Sequence, residues 1–388
     1  MPDPLNWVND ELQSLERKSL LRHRREVIPH LDGRCEFQGQ TLWNFSGNDY
    51  LGLANHPAVL QAAASALESG LGARASALIT GRTPWHVALE SKLAKFKHAE
   101  SALIFPTGHA VNTGTIPALV GREDVIYCDR LNHASLIDGA RQSQAKFRVY
   151  RHADVAALRH DMQKVSGSRR RLIITDSLFS MDGDIAPLTE LVALAEEFEA
   201  MLLVDEAHAT GIFGPGGGGL VEEFNLSSPH LICMGTLSKA IGGQGGFVAG
   251  SKSLCDYLWN TARPGMFSTA LSPPLCAGAF VAIEVIQQEP HRREWVLKQS
   301  TQLQLALKDL GWEIPKNVRG PIIPIIVGDA QRTLQLADQL QTAGILVAAI
   351  RPPTVPKGTS RLRISLSYAH GQQGAAALID AFSSLKIR

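Results

Sequence analysis

From about His56 onward, short apolar runs alternate with stretches rich in Ala, Leu, Glu and Lys, which are good helix formers. The apolar runs are hydrophobic at successive positions, as is typical of strands covered on both faces. Seven strands are predicted in this part of the chain, at residues 102–105, 124–128, 146–150, 172–176, 201–205, 231–234 and 246–249. Because helical stretches separate them, we expect an α/β fold with a large, mostly parallel seven-stranded sheet.

Both ends of the chain have a different pattern. Within the first ~28 residues, apolar side chains recur at roughly helical intervals and predict an amphipathic arm lying on a larger body; they are Leu5, Val8, Leu12, Leu15 and Leu20. A short strand is predicted to follow at 41–45. The C-terminal part alternates long helical patterns with three strand candidates, at 322–327, 345–349 and 362–366, as in a smaller α+β domain. The predicted domains are an N-terminal arm at 1–45, a large domain at 46–285 and a C-terminal domain at 286–388.

Composition excludes several classes of protein. With 45% hydrophobic and 19% charged residues, the chain is typical of a globular protein with a buried core. Its net charge of +1 creates no overall field for nucleic acid or an anionic membrane, and its longest apolar stretches fall short of the ~18 residues of a membrane span. No export signal opens the sequence, so a cytoplasmic location is expected. Five cysteines without a C-x-x-C pair indicate neither a disulfide framework nor a zinc site.

In open α/β sheets, ligands bind at the carboxyl ends of the strands. Asp205 ends one predicted strand, with His208 three residues later. A strand-end Asp is often a helix cap, yet a buried carboxylate needs a cationic partner, such as a protonated heterocycle nitrogen. Thr236, Ser238 and Lys239 follow the next strand; hydroxyls can hold a phosphate and Lys can form a Schiff base. Taken alone, Lys239 would more often be a surface residue, but together these groups predict a pyridoxal phosphate site.

Glycines supply weaker signals. Gly108 follows another predicted strand and begins a helix, whose first N–H groups favour phosphate, although such turns are common. The run Gly214–Gly219 does not match the G-x-G-x-x-G pattern and is predicted to be a flexible loop. The sequence contains no Walker A, H-E-x-x-H or G-x-S-x-G motif, and its 13 histidines show no metal-ligand spacing, so no metal site is predicted.

Five segments resemble the α-oxoamine synthase family in order and spacing. They are Ser46–Gly52 (SGNDYLG), Asp129–Ser135 (DRLNHAS), Asp176–Asp184 (DSLFSMDGD), Val204–His208 (VDEAH) and Thr236–Lys239 (TLSK). This family consists of fold-type I pyridoxal phosphate enzymes, and the likeness covers nearly the whole chain. Two further segments, Leu21–Arg25 and Ala349–Gly358, resemble more specifically the family member of biotin biosynthesis.

The resemblance implies a role for each matching residue. Lys239 would hold pyridoxal 5′-phosphate covalently, Asp205 would pair with the protonated ring nitrogen, and His133 would stack on the ring. Further cofactor contacts are implied at Gly108, His109, Ser180, His208 and Thr236, and across the subunit boundary of a homodimer at Ser268 and Thr269. Substrate contacts are implied at Arg22, Asn48, His133, Arg351 and Thr354.

The implied activity is a decarboxylative condensation of L-alanine with a pimeloyl thioester, carried on coenzyme A or on acyl carrier protein. The alternative within the family is a sister enzyme such as one that joins glycine and acetyl-CoA, because the family motifs do not separate these substrates. A more remote alternative is a non-catalytic subunit with the same fold, against which the presence of Lys239 argues. Arg22–Arg25 also fits a solvated basic run, which would leave Thr354 alone to contact the acyl substrate.

Overall fold

The computed structural model describes residues 3–385 and separates them into two compact units. The central unit comprises Asn48–Ser180 and Asp184–Leu297. The terminal unit comprises the described residues up to Gly47, the short segment Met181–Gly183, and the described residues from Lys298 onward. The predicted division into an arm at 1–45, a large domain at 46–285 and a C-terminal domain at 286–388 stays a prediction.

Strands and helices alternate along most of the described chain. The strands are β1 (Ile28–Pro29), β2 (Arg34–Phe37), β3 (Gln40–Asn44), β4 (Ser101–Phe105), β5 (Val125–Asp129), β6 (Lys146–Tyr150), β7 (Arg171–Asp176), β8 (Met201–Asp205), β9 (Leu231–Thr236), β10 (Gly246–Gly250), β11 (Ile322–Gly328), β12 (Ile345–Leu346), β13 (Ala348–Ile350) and β14 (Ser360–Ser365). The helices are α1 (Trp7–Arg17), α2 (Pro57–Ala66), α3 (Pro84–Phe96), α4 (Gly108–Leu119), α5 (Ala134–Gln142), α6 (Val155–Lys164), α7 (Leu188–Glu197), α8 (Leu220–Glu223), α9 (Lys252–Thr261), α10 (Arg263–Phe267), α11 (Pro273–Gln288), α12 (His291–Asp309), α13 (Ala330–Thr342) and α14 (Gly371–Ser383).

The central unit is built on a seven-stranded sheet in the order β4-β10-β9-β8-β7-β5-β6. Strands β5 to β9 pair in parallel, whereas β10 runs antiparallel to both of its neighbours, so β4 has the same direction as β9. The predicted α/β fold with a seven-stranded, mostly parallel sheet is confirmed. Because six of the strands share one direction, their carboxyl ends lie along one edge of the sheet.

Burial explains why these segments form strands. Every residue of β5 is buried, and β7 and β8 are buried at every position after their first. Ile174 and Leu203 are register partners in the core on one face of the sheet, and their chain neighbours Ile173 and Leu202, which point to the other face, are buried too, so the apolar runs show no polar alternation. Cys128 and Cys233, which lie within two of these runs, are buried free thiols.

The terminal unit contains two small sheets with the strand orders β1-β2-β3-β12 and β11-β14-β13. The expected C-terminal α+β part is therefore present, but the single strand predicted at 345–349 is wrong. The segment divides at Val347: Ile345 pairs in parallel with Trp43 of β3, whereas Ala348 pairs antiparallel with Arg363 of β14. One continuous apolar run thus serves two sheets, which hydrophobic periodicity does not distinguish from one strand.

Helix α1 confirms the predicted helix but not its packing. Within Trp7–Arg17, all of which the structure describes, no residue is buried. Trp7 is 61% exposed and Leu12 45% exposed, so the apolar side of the arm is open to solvent in the single chain. The surface against which this arm packs stays a prediction.

The run Gly214–Gly219 is held in place rather than flexible. The carboxylate of Glu222 accepts hydrogen bonds from the N–H groups of Gly216 (3.1 Å) and Gly218 (2.7 Å), and Glu223 accepts one from Gly214 (3.0 Å). Gly219 has φ +118°, and a Cβ there would lie 2.5 Å from Glu206 Oε1. Glycine is needed because the loop folds closely around these carboxylates.

Candidate active site

The polar groups predicted to carry chemistry in the central unit lie at the carboxyl ends of its parallel strands. Gly108 follows β4, His133 follows β5, Ser180 follows β7, His208 follows β8, and Lys239 follows β9. Asp205 is the last residue of β8 and pairs in register with Asp176, the last residue of β7. The fold therefore brings residues that lie between Gly108 and Lys239 in the sequence to the carboxyl ends of the strands of one sheet.

Asp205 is only 4% exposed and is held by neutral donors. Asn112 Nδ2 donates to Asp205 Oδ2 (2.9 Å), and the N–H of Ala207 donates to Oδ1 (2.9 Å). Neutral donors solvate a buried carboxylate without cancelling its charge, so Asp205 retains a strong preference for a cationic partner. Asn112 lies on α4 and also donates to the Ser135 hydroxyl (2.9 Å), which fixes its amide.

His133 immediately precedes α5 and is anchored through its backbone. Its N–H donates to Asp176 Oδ2 (2.7 Å). The N–H of Ser135 donates to His133 Nδ1 (3.3 Å), so this nitrogen carries the lone pair and the neutral ring carries its hydrogen on Nε2. Burial lowers the pKa of His133, and the nearby Lys239 ammonium lowers it further against the opposing effect of Asp205. At neutral pH His133 is therefore an uncharged Nε2–H donor.

Asp176 supports this arrangement from within the sheet. Burial raises the pKa of its carboxyl well above the ordinary range, and the neighbouring Asp205 carboxylate raises it further. The N–H of His133 and the charge of Lys239 act in the opposite direction. The two adjacent carboxyl groups therefore differ in their surroundings, because Asp205 accepts from an amide side chain as well as a backbone N–H, whereas Asp176 accepts from the backbone N–H of His133.

Lys239 lies in the turn that follows β9. Its carbonyl accepts a hydrogen bond from the N–H of Gly242 (2.8 Å), and the turn contains two hydroxyls in contact, Thr236 Oγ1 and Ser238 Oγ (2.7 Å). Gly242 has φ +78°, and a Cβ there would lie 2.4 Å from the backbone N of Ala54. Glycine at 242 thus allows the tight turn that brings Lys239 near His133 and Asp176.

The amino end of α4 faces the same strand ends. Thr107 caps the helix by accepting a hydrogen bond from the N–H of Ala110 (3.0 Å), and the first N–H groups of a helix have no partner within it. A Cβ on Gly108 would lie 3.2 Å from Thr236 Oγ1, so glycine keeps the space between helix and hydroxyl open. The side chain of His109 is 56% exposed and lies 3.6 Å from Asp138 Oδ2.

His208 has a partner that the sequence interpretation missed. Tyr50 OH lies 2.7 Å from His208 Nδ1 and 3.2 Å from Asn48 Oδ1. Tyr50 is 1% exposed, so its ring packs in the core while its hydroxyl joins the two polar residues. The motif Ser46–Gly52 was the available signal, since it contains both Asn48 and Tyr50. Asn112 was missed as well, because it lies one turn inside α4 and does not follow the strand directly.

The remaining predicted residues fall into two groups. In the central unit, Ser268 and Thr269 follow α10, and Thr269 forms an isolated bridge with Ser76. In the terminal unit, Arg22 donates to the carbonyl of Pro352 (3.5 Å), the residue after Arg351. Burial lowers the pKa of Arg351, and the nearby charge of Arg22 lowers it further. The N–H of Thr354 donates to the carbonyl of Arg351 (3.1 Å), and Arg351 donates to the carbonyl of Ser19. The structure thus brings three of the residues predicted to contact substrate, Arg22, Arg351 and Thr354, together within one unit.

Residues 3–385 contain neither a metal-type cluster of side chains nor a helix able to span a membrane. No cluster of three or more His, Cys, Asp or Glu side chains in this range has the arrangement of a metal site. Over the same range, no helix is both long and apolar enough to cross a membrane.

Comparison with known proteins identifies the family. The family model described as aminotransferase class I and II matches residues 40–382. The chain belongs to this aminotransferase family. An 8-amino-7-oxononanoate synthase of Anaeromyxobacter dehalogenans (strain 2CP-1 / ATCC BAA-258) is 45% identical over 379 residues, which are 97% of this chain and 94% of that protein. The 8-amino-7-oxononanoate synthase 2 of Bacillus subtilis (strain 168) is 40% identical over 98% of this chain and 97% of that protein.

Two solved structures are similar to this chain over most of its length. A serine palmitoyltransferase from S. paucimobilis with a bound PLP–myriocin aldimine has a TM-score of 0.93 at 28% identity, with 98% of each chain covered. An 8-amino-7-oxononanoate synthase from Francisella tularensis has a TM-score of 0.77 at 27% identity, covering 88% of this chain and 97% of that chain. The resemblance to the α-oxoamine synthases and the fold-type I architecture are confirmed.

The strand-end residues fit pyridoxal 5′-phosphate. Asp205 offers a buried anionic charge for a protonated ring nitrogen, and the space kept by Gly108 beside Thr236 suits a phosphate at a helix amino end. Asn112 Oδ1 is buried without a hydrogen-bond partner in the described chain, so the pocket beside Asp205 has capacity for a further polar group. Lys239 supplies the amine that this cofactor requires.

Proposed function

We propose that the chain is a pyridoxal phosphate-dependent acyltransferase that condenses L-alanine with a pimeloyl thioester, as an 8-amino-7-oxononanoate synthase in biotin biosynthesis. A bond forms between the Cα of alanine and the thioester carbonyl carbon, the thiol leaves, and the alanine carboxylate is lost as carbon dioxide. The observation that carries the proposal is the buried Asp205, solvated by neutral donors, beside His133 and Lys239. Relatives of that name at 40–45% identity support the choice of substrates.

When bound, the cofactor supplies an electron sink for negative charge at Cα. Asp205 would keep the ring nitrogen protonated, because the Asn112 and Ala207 donors leave its charge available. Thr236 and the N–H groups of Gly108 and His109 would hold the phosphate, where the positive end of α4 favours an anion. His208 and Ser180 would contact the ring oxygen and its surroundings, with His208 oriented by Tyr50.

Two side chains would act on the reacting atoms. Lys239 Nζ would hold the cofactor in the resting enzyme and, once released, take the proton from Cα as a general base. His133 would stack on the cofactor ring and donate its Nε2–H to the oxygen that becomes negative when the thioester is attacked. The lowered pKa of His133 supports this second role, because a neutral ring keeps its donor without adding a cation beside Lys239.

Basic and amide side chains would bind the carboxylate groups of the two substrates. We propose that Asn48 and Arg351 contact the carboxylate of alanine and that Arg22 and Thr354 contact the acyl substrate. Burial and the nearby Arg22 and Arg25 lower the pKa of Arg351, and its Nε is buried without a partner in the described residues. A cluster of cations with unused donor capacity favours binding of an anion.

We also propose that the enzyme works as a cytoplasmic homodimer. Large apolar side chains near Thr269 are open to solvent in the single chain: Leu71 is 78% exposed, Ile79 73% and Phe267 66%. Apolar groups concentrated in this way favour association with another protein surface. In a homodimer, Ser268 and Thr269 would contact the phosphate bound to the partner subunit.

The test is release of free thiol and carbon dioxide from a matrix of substrates. L-Alanine, glycine and L-serine are each combined with pimeloyl, acetyl and palmitoyl thioesters, the acyl chains being offered on coenzyme A and on acyl carrier protein. The proposal predicts turnover fastest with L-alanine and pimeloyl. Highest kcat/KM with glycine and acetyl-CoA would assign the sister activity instead. Inactivity in every combination, with cofactor bound, would favour a non-catalytic subunit.

A further inference from the structure

His152 lies just beyond β6 and connects two loops of the site. Its Nδ1 lies 3.0 Å from Asp129 Oδ1, and its Nε2 lies 2.7 Å from Asp184 Oδ2. Asp129 ends β5 and begins the segment that leads to His133, whereas Asp184 ends the loop that contains Ser180. The ring edge also packs against Phe179, with ring centres 4.5 Å apart and an interplanar angle of 87°. A single side chain thus touches both loops.

Both ring nitrogens of His152 face carboxylate oxygens, so both carry hydrogen. A neutral ring would direct one lone pair at an anion, which this geometry makes unfavourable. Burial acts against the charge, but the hydrogen bonds to Asp129 and Asp184 outweigh it and raise the pKa of His152 to about 10. These two aspartates are the charged groups that face the ring. At neutral pH, the contact is therefore a cation between two anions.

Asp129 transmits this contact to the loop of His133. Its Oδ1 also accepts from the N–H of Leu131 (2.9 Å), and its Oδ2 accepts from the N–H of Ala153 (2.8 Å). Asp129 is 2% exposed, so these bonds are made in a medium that strengthens them. The segment Asp129–His133 is thereby fixed at its start by His152 and at its end by the bond from His133 to Asp176.

Asp184 transmits the contact to the loop of Ser180. Its carbonyl accepts from the N–H of Phe179 (2.9 Å), and Ala186 donates to the carbonyl of Ser177 (3.0 Å) on the same loop. The residue preceding Ser180 is therefore hydrogen-bonded to the residue that holds His152. Loss of the carboxylate contact would release the ring of Phe179 and the backbone beside Ser180 together.

We propose that His152 is a positioning residue that fixes His133 and Ser180 relative to each other by joining Asp129 to Asp184. The consequence for catalysis rests on the proposed function, whereas the consequence for loop order does not. A displacement of about 1 Å in a catalytic group can lower the rate about a hundredfold. His152 would thus affect turnover without contacting the substrate.

The test compares His152→Gln, which keeps donors on one nitrogen only and so cannot donate to both aspartates as the imidazolium does, with the matched control His230→Gln. His230 precedes β9 and therefore lies at the amino ends of the parallel strands, away from the site. Its Nδ1 lies 2.9 Å from one carbonyl oxygen, that of Ala200. In His152→Gln, kcat should fall about 10- to 100-fold while the KM for the amino acid changes less than about threefold. Amide hydrogen exchange of the cofactor-free protein should rise at least about tenfold at Leu131–Ser135 and Leu178–Ser180, and remain unchanged in β8. His230→Gln should show neither effect.

Three results would overturn the proposal: wild-type kcat, wild-type exchange in the two loops, or a rise in exchange spread evenly over the sheet, which indicates a structural role only. If His152→Gln does not fold, Asp184→Asn decides the matter, since it removes one charge and keeps an acceptor; the same two loops should then exchange faster, and unchanged exchange would refute the idea. If the wild-type protein lacks the condensation activity, the proposed function fails while the exchange result still tests His152.

Discussion

Removing one partner of the Lys97–Glu206 ion pair is expected to destabilise the central unit strongly. The two side chains are 1% and 0% exposed and are in direct contact. Lys97 also donates to the carbonyl of Gly218, and Glu206 accepts from the N–H of Val221 (2.9 Å). The pair therefore joins the end of α3 to the glycine loop and to the residue after Asp205.

The magnitude follows from burial. Loss of one member of a buried ion pair leaves an uncompensated charge and costs roughly 3–5 kcal/mol. Each remaining group keeps one backbone partner, Gly218 for Lys97 and Val221 for Glu206, so the lower end applies. We expect about 3 kcal/mol for Glu206→Gln or Lys97→Met. At roughly 2–4 °C per kcal/mol for a unit of this size, this corresponds to a fall of about 6–12 °C in Tm.

Urea unfolding of the cofactor-free protein, followed by circular dichroism, measures the effect. The double variant Lys97→Met/Glu206→Gln removes both charges and should be at least about 1 kcal/mol more stable than the sum of the single losses predicts. Lys252→Met is the control, because its pair with Asp256 is exposed and should show no measurable change. Single variants within about 0.5 kcal/mol of wild type would refute the argument that this buried pair stabilises the fold.

Three further predictions concern the active site. Borohydride reduction followed by peptide mapping should find the cofactor on Lys239, and a label on another lysine would refute that assignment. Asp205→Asn should retain the cofactor while exchange of the alanine Cα hydrogen, followed by NMR in deuterium oxide, falls by orders of magnitude, because the charge that keeps the ring nitrogen protonated is lost; unchanged exchange would make Asp205 a structural residue only. Arg22→Ala should raise the KM for the pimeloyl thioester about 10- to 100-fold and that for alanine much less, since a charged hydrogen bond is worth roughly 1.5–3 kcal/mol. Unchanged steady-state kinetics for both substrates would assign Arg22 to a solvated basic run.

The central sheet was predictable because its strands are buried on both faces. Runs such as Met201–Asp205 have one interpretation once helices separate them, and the structure places them as adjacent parallel strands. The apolar run at 345–349 had two possible interpretations, one strand or two. Hydrophobicity does not distinguish them, because the residues on both sides of Val347 are apolar although they belong to different sheets. The glycine loop at 214–219 was mispredicted for a related reason: its order comes from the carboxylates of Glu206 and Glu222, whose positions depend on the tertiary fold.

Site residues were predictable where a reactive side chain ends a strand or lies in the turn directly after it. Asp205 and Lys239 are of this kind, and the five family motifs extended the set to His133. Residues that act from elsewhere were missed: Asn112 lies inside α4, and His152 faces two aspartates that are 23 and 32 positions away in sequence. Hydrogen bonds between side chains on different elements require the coordinates of both, which periodicity and motif spacing do not supply.

The fate of the alanine carboxyl carbon tests the central claim most directly, because decarboxylative condensation and transamination treat it differently. The enzyme is incubated with a pimeloyl thioester and L-alanine labelled with ¹³C at either the carboxyl or the methyl carbon, and products are analysed by mass spectrometry. The account predicts that the carboxyl label leaves as carbon dioxide in equal amount to free thiol, while the methyl label stays in the amino ketone product. Carboxyl label retained in pyruvate, without thiol release, would show an aminotransferase and contradict the account.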